Sequence, residues 1–401
     1  MEETDLTRLH ALARAAAHPD GASSCPCPVD LLADRDDGTV VRHGDLVLKA
    51  HAPGGDPEEL RSRTAVAALP ALADVLLPPL PAPSLPSPPF LAVPFPAPSL
   101  PASPFPASPP PAPSLPASAF PPLPPSAPSL PASAFPPLPP SAPSLPATPF
   151  PSPPLPASLP APRTSAPAEN RPLTAWPYGV PVDPADPDAA PWEAAARLLA
   201  LLHRTPAPPG LPAMRAPVKA ALAVERMRRA APDHPATATV LRAWRTVPEP
   251  AEAGPGPYRA LCHGDFHLGQ LVRPGGGPHW RLIDVDDLGV GDPAWDLARP
   301  AAWFAAGLLA PQVWARFLGA YEAAGGPATA APGQAPGQAP GSDPWSRLDV
   351  PARALTVQTA ALAVAKSTVE ERPLDEVEDV MIDTCARIGT LRTELAPPAS
   401  P

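Results

Sequence analysis

Cysteine is sparse in these 401 residues: Cys25, Cys27, Cys262 and Cys385 are all there are. Cys25 and Cys27 have only Pro26 between them, too close for an ordinary disulfide. No second cysteine pair completes a zinc set. Reduced thiols in a cytosolic protein are the simplest account. Apolar runs are short, and none is long enough to span a membrane. The first residues include Glu2, Glu3 and Asp5, the wrong charge for a secretory leader. The expectation is a soluble, cytoplasmic protein. Positive charge is also in deficit: 29 Lys and Arg against 39 Asp and Glu leave a formal net charge of −10. That argues against nucleic acid as a partner. Lysine occurs only at Lys49, Lys219 and Lys366. No Walker A phosphate loop is present.

Proline, by contrast, is abundant at 76 residues, too many to spread through packed helices and strands. From Ala82 a 15-residue unit repeats, with APSLPASAFPPLPPS occurring twice in identical form. Proline at this density removes backbone donors and forbids helix. Residues 82–170 are therefore expected to be a disordered or polyproline insertion. A protein partner for the repeats is conceivable, since Pro-rich segments dock in aromatic grooves; an inert expanded loop is the simpler account. A second low-complexity stretch, APGQAPGQAPGS, lies within residues 325–345.

The chemistry concentrates in LCHGDFHLGQLVRPGGGPHWRLIDVDDLGVGDPAWDLA, from Leu261 to Ala298. Residues from Tyr258 to Cys262 read as a strand end, broken by His263-Gly264-Asp265. Leu271 and Val272 resume an extended run, and Pro274 to Pro278 must turn. Trp280 to Ile283 is extended again and stops at Asp284. A hairpin sets the start of its first arm beside the end of its second. Gln270 and Asp284 then share one end, with Asp265 a short loop away. Oxygen ligands of this kind suit a hard cation such as Mg2+, which keeps several waters and meets phosphate oxygens. Asp265 is placed to orient a hydroxyl and take its proton. His263, Asp292 and Asp296 read as structural, holding the loops by hydrogen bonds. His267 reads as a packed loop histidine.

The order HGDFHLGQ, hairpin, IDVDD, GDPAWDLA resembles the aminoglycoside phosphotransferase family, with a maltokinase-like HLGQ form of the catalytic loop. The resemblance implies an α+β, two-lobed protein-kinase-like fold, with a small β-rich N-lobe and a larger helical C-lobe. It implies a small-molecule kinase that moves the γ-phosphate of ATP to a hydroxylated acceptor. Asp265 would be the catalytic aspartate. Gln270, where the family usually has Asn, and Asp284 would hold Mg2+. Lys49, at the end of LVLKAH, would bind the nucleotide phosphates. In the segment RPLTAWPYGVPVD, residues 171–180 would form the hinge, with Ala175, Trp176 and Tyr178 lining the adenine pocket. The helix that usually supplies a Glu partner for the lysine reads LRSRTAVAAL here, with Glu58 or Glu59 as substitutes from its first turn.

These readings divide the chain into a first N-lobe part (1–81), the Pro-rich insertion (82–170), the hinge (171–180) and a helical C-lobe (181–395). One amphipathic helix is expected before Asp20, a strand meander from Val29 to His51 turning at Asp36-Asp37-Gly38, and a helix from Asp56 to Leu77. A single helix is expected from Trp303 to Ala323, and two more finish the chain. In the last, acidic residues opposite Val377, Met381 and Cys385 read as a solvated face. A different class of function is a catalytically weak kinase-like binding protein that uses its repeats as a partner tether.

Overall fold

The computed structural model describes residues 3–20, 25–35, 38–81, 171–248, 259–330 and 343–390. The Pro-rich repeats, the second low-complexity stretch, Tyr258 and the Asp36-Asp37 turn lie outside the described residues.

The N-terminal unit is built on a four-stranded antiparallel sheet. Helix α1 (Glu3–Ala17) precedes β1 (Val29–Arg35), β2 (Gly38–His43) and β3 (Leu46–His51), which pair in chain order. Helix α2 (Pro57–Ala67) follows, and β4 (Leu173–Pro177) closes the sheet against β3. Alternation along β3 sends Leu46, Leu48 and Ala50 to one face, where they pack with Leu9 and Ala13 of α1 and with Leu173 and Ala175. Lys49 consequently emerges on the other face.

Helix α2 starts with Asp56, whose carboxylate accepts from Glu58 N, and with Pro57 in its first turn. It ends at Ala67, ten residues short of the expected Leu77. Pro70 cannot continue it, and the chain instead turns through Pro70–Leu72 and runs extended. Leu282 N donates to Val75 O, Leu77 N to Leu282 O, and Leu80 N to Ala175 O, each at 2.8 Å. That crossing segment ties the small sheet to the hairpin arm that carries Leu282.

Beyond β5 (Gly179–Pro181) the chain is mainly helical: α3 (Trp192–Arg204), α4 (Ala216–Ala230) and α5 (Thr237–Trp244) come first. Then follow four short strands: β6 (Ala260–Cys262), β7 (Leu271–Pro274), β8 (Arg281–Leu282) and β9 (Gly289–Gly291). Helices α6 (Ala298–Ala306), α7 (Pro311–Ala323), α8 (Trp345–Val369) and α9 (Glu376–Ile388) complete the lobe. The single helix expected from Trp303 to Ala323 is two. Gly307 caps α6 in the left-handed conformation at φ 82°, and Pro311 opens α7. Helix α4 packs along α8, and α3 along α7. Trp192, Phe266, Trp314, Phe317 and Tyr321 form the aromatic centre of the core. The acidic start of α9 is a capping box, Asp375 with Glu378, and Glu378 also pairs with Arg372 at 2.6 Å. The described residues thus form an α+β fold with a small, sheet-built N-terminal part and a larger, mainly helical C-terminal part. None of their helices is long and apolar enough to cross a membrane.

Candidate active site

Two short pairings assemble the site. Strand β6 pairs with β9, Cys262 opposite Gly289, which lays His263-Gly264-Asp265 beside Asp284 to Asp287. Strand β7 pairs with β8, Leu271 opposite Leu282, and Ile283 N donates to Gln270 O at 2.9 Å. Gln270 and Asp284 meet at one end of the hairpin, with Gln270 Nε2 3.3 Å from Asp284 Oδ2.

The loop before Asp265 is fixed from below. Asp296 is buried and accepts from His263 N (2.6 Å), Gly264 N (2.8 Å) and His203 Nε2 (2.9 Å). His203 Nδ1 in turn lies 2.7 Å from Tyr321 Oη, which accepts from Ala328 N. The tautomer that satisfies every group has Tyr321 Oη donating to His203 Nδ1 and His203 Nε2 donating to Asp296. His263 Nε2 donates to Ile283 O at 2.7 Å, joining the two loops directly. Gly264 has φ 83°, and a Cβ there would meet Asp287 O at 2.2 Å. Only glycine fits this crossing.

The residues singled out from sequence fall into two groups. Lys49 Nζ lies 2.6 Å from Asp284 Oδ1 and 3.0 Å from Asp286 Oδ2. Burial opposes its charge, but Asp284 and Asp286 override that and hold the ammonium above its ordinary range. Gln270 stands on the far side of Asp284. Asp284 itself has φ 63°, a left-handed conformation that costs a non-glycine residue energy and aims its carboxylate at Lys49. Asp265 lies apart from this group. Its Oδ2 is 2.7 Å from Lys219 Nζ and its Oδ1 is 2.8 Å from Arg299 Nη2. Burial pushes its carboxyl up, but Arg299 and then Lys219 hold it well below the usual carboxylate range. His267, between the loops, is pushed down to about 3 by burial and by Arg299.

Of the three hinge residues, Ala175 and Trp176 lie on β4 and are buried, and the Ala175 carbonyl is taken by Leu80. Tyr178 lies just past the strand. Its N–H donates to Asp45 O at 2.7 Å, and the Arg42 guanidinium sits 3.5 Å over its ring. The substitutes suggested for the helix glutamate pair elsewhere: Glu58 with Arg61, and Glu59 with Arg63 at 3.0 Å. Arg63 donates to Leu288 O at 2.9 Å. The carboxylates that neutralise Lys49 come from the IDVDD loop instead.

Sequence reasoning passed over Lys219, Arg299, His51 and Asp287. Lys219 Nζ bridges Asp265 and Asp287, the latter at 2.6 Å. His51 Nδ1 lies 2.8 Å from Asp286. The scarcity of lysine was a usable signal for Lys219, one of three in the chain. Arg299, inside an ordinary helical run, gave none. Beside Asp265 a small hollow open to solvent is lined by Lys219, Trp295, Arg299, Leu355 and Gln358, among others. The Gln358 Oε1 atom is buried and has no hydrogen-bond partner among the described residues.

A model of the phosphotransferase enzyme family matches residues 151–336, which include the whole catalytic stretch. The match covers less than half of the 401 residues. No curated protein sequence matches the chain significantly. Several solved structures are similar over most of their length. A choline/ethanolamine kinase family protein from Mesorhizobium loti is 14% identical, with 94% of this chain and 93% of that one covered and a TM-score of 0.43. A Plasmodium vivax ethanolamine kinase is 10% identical, with 97% and 89% covered and a TM-score of 0.46. A thermostable mutant of aminoglycoside phosphotransferase APH(4)-Ia is 12% identical, with 90% and 94% covered and a TM-score of 0.46.

Proposed function

We propose that this phosphotransferase moves the γ-phosphate of ATP to a hydroxyl of a small molecule, in the cytoplasm. The observation that carries the reading is the separation of two carboxylate groups: Asp284 with Lys49 and Gln270 on one side, Asp265 with a pocket of its own on the other. In this reading Lys49 draws in the nucleotide phosphates, and the segment from Ala175 to Tyr178 borders the base. The donor set fits a divalent cation. Among the described residues Asp284 Oδ2 meets only Gln270 Nε2, at a long 3.3 Å, and the same amide carries an oxygen that suits a hard cation. Asp284 and Gln270 would hold Mg2+, which supplies charge neutralisation on the phosphates when bound. Asp265, kept ionised, orients the acceptor hydroxyl and takes its proton as the phosphoryl group transfers.

Two cationic side chains, Lys219 and Arg299, line the acceptor pocket, and both are paired: Arg299 with Asp265, and Lys219 with Asp265 and Asp287. Two cations and two carboxylates leave this wall without a surplus of either sign. None of its lining residues comes from the acidic face of α9. We therefore read the acceptor as a neutral polyhydroxyl compound, with Gln358 Oε1 accepting from one of its hydroxyls.

The test is an ATP-consumption screen against neutral, anionic and polycationic hydroxylated compounds, with Asp265→Ala as control. Turnover should appear with neutral acceptors and fall about 10²–10⁴-fold in the control, with Mg2+-dependent ATP binding retained. Normal turnover by Asp265→Ala would overturn the role of Asp265. Turnover confined to polycations would overturn the acceptor reading alone.

A further inference from the structure

The strongest unassigned cluster lies in the small lobe. His18, Cys25, Cys27 and His43 come from three separate segments: the residue after α1, the loop before β1, and the end of β2. One ligand-type atom from each lies within 4.8 Å of all the others. Cys25 Sγ is 3.1 Å from His43 Nε2, and Cys27 Sγ is 3.4 Å from His18 Nε2. With Zn–S of about 2.3 Å and Zn–N of about 2.0–2.1 Å, neighbouring ligand atoms of a tetrahedral zinc stand about 3.3–3.8 Å apart. Two of the six separations are already that short, and the others, all within 4.8 Å, need a closure of about 1 Å or less to hold one ion. We propose that His18, Cys25, Cys27 and His43 form a structural zinc site.

The surrounding backbone holds the four side chains in place. His18 N donates to Arg14 O at 2.9 Å, extending the last turn of α1. Pro26 and Pro28 stiffen the loop on either side of Cys27. Gly44 N donates to Pro28 O at 2.9 Å, so the loop is fastened to the β2–β3 turn. His43 is buried, paired in register with Val29 and Leu46. The two imidazoles meet edge to face, with centroids 5.3 Å apart. Two isolated thiol–imidazole hydrogen bonds would not require four atoms from three segments to converge on one point.

The chemistry of the set favours zinc. Thiolates and imidazoles select soft or borderline ions over Mg2+. Two thiolates and two neutral histidines cancel the charge of a divalent ion, so no net charge is left beside the apolar cluster of Leu9, Ala13 and Val41. Four protein ligands leave no open position, which marks a structural rather than a catalytic centre. The Cys-x-Cys spacing is one residue shorter than the usual minimum. A count of cysteines alone missed the site because its second pair is histidine.

The position gives the site a purpose. Helix α1 covers the face of the sheet behind Leu48 and Ala50, and Lys49 projects from the opposite face of the same strand. A metal joining the end of α1 to the end of β2 braces that strand from behind without touching the cleft. The inference does not depend on the acceptor or on the nucleotide.

The experiment uses the full-length protein purified without chelators. Elemental analysis should find one zinc per chain, reduced to background in Cys25→Ser/Cys27→Ser. Should that variant not fold, demetallated wild type is titrated with Co2+. The expected result is the visible absorption of tetrahedral cobalt together with a thiolate charge-transfer band, both bleached by added Zn2+. Zinc removal should lower Tm by several degrees, and re-addition should restore it. Zinc retained by the double serine variant, or cobalt spectra without thiolate charge transfer, would overturn the site.

Discussion

Lys219 reaches from α4 to within 2.7 Å of Asp265, and the same ammonium lies 2.6 Å from Asp287. Burial favours the protonated carboxyl of Asp265, and Arg299 and Lys219 reverse that preference. Removing Lys219 should let the pKa of Asp265 rise. A base must be unprotonated, so a raised pKa means activity is lost sooner as pH falls. Lys219→Met is expected to move the acid limb of kcat/KM up by about one unit or more, while ATP affinity changes little. A pH–rate profile with an unmoved acid limb would remove Lys219 from this role.

Asp296 makes three hydrogen bonds from a fully buried position, two of them to the backbone of His263 and Gly264. In Asp296→Asn one acceptor becomes a donor facing another N–H. Loss of a charge-assisted bond and burial of an unpaired donor should cost about 3 kcal/mol. A fall in Tm of roughly 6–12 °C follows for a unit of this size. Since Gly264 sits directly before Asp265, kcat should fall more than nucleotide affinity. Calorimetry together with turnover measurements reads both effects.

Much of this site could be read in the sequence because its residues are close along the chain. Gln270 and Asp284 are joined by a hairpin whose turn, Pro274 to Pro278, announces itself in glycine and proline. Their meeting follows from antiparallel pairing alone. The partners of Asp265 could not be read in this way. Lys219 arrives from 46 residues before it and Arg299 from 34 residues after it, both on helices whose packing fixes their reach. Helix ends were the other failure. Pro70 and Gly307 each stop a helix that apolar spacing alone would have continued. The pairing of two cysteines with His18 and His43 depends on how α1 lies against the sheet, which no spacing rule supplies.

The chain enters residues 82–170 two residues after Leu80 and returns at Arg171, four before Ala175. Leu80 N and Ala175 O are hydrogen-bonded at 2.8 Å. Both ends of the repeat segment are thus anchored near each other, and a short Gly-Ser linker can replace it. Loop closure changes by only about 0.6 kcal/mol per doubling of length. The shortened protein should match the full chain in Tm to within a few degrees and in turnover to within about twofold. Collapse of either would show that the repeats contribute to the folded core or to the site.

Gln270 stands where the family that this sequence resembles usually has Asn, and its amide faces Asp284 Oδ2 across 3.3 Å. Asn offers the same amide oxygen on an arm one methylene shorter. Mg2+ requires near-octahedral geometry with oxygens at about 2.0–2.1 Å. The backbone here is set for the longer arm, because Ile283 N already fixes Gln270 O at 2.9 Å and prevents the loop from moving in. Gln270→Asn should therefore lower activity, with partial recovery at raised Mg2+ or with the larger Mn2+. Gln270→Leu keeps the bulk and deletes the ligand, so it should lose most activity at any metal concentration. The discriminating measurement is ATP turnover against metal concentration for wild type and both variants. A wild-type metal dependence in Gln270→Leu would mean that Gln270 holds no ion, and the cation site would then rest on Asp284, Asp286 and water.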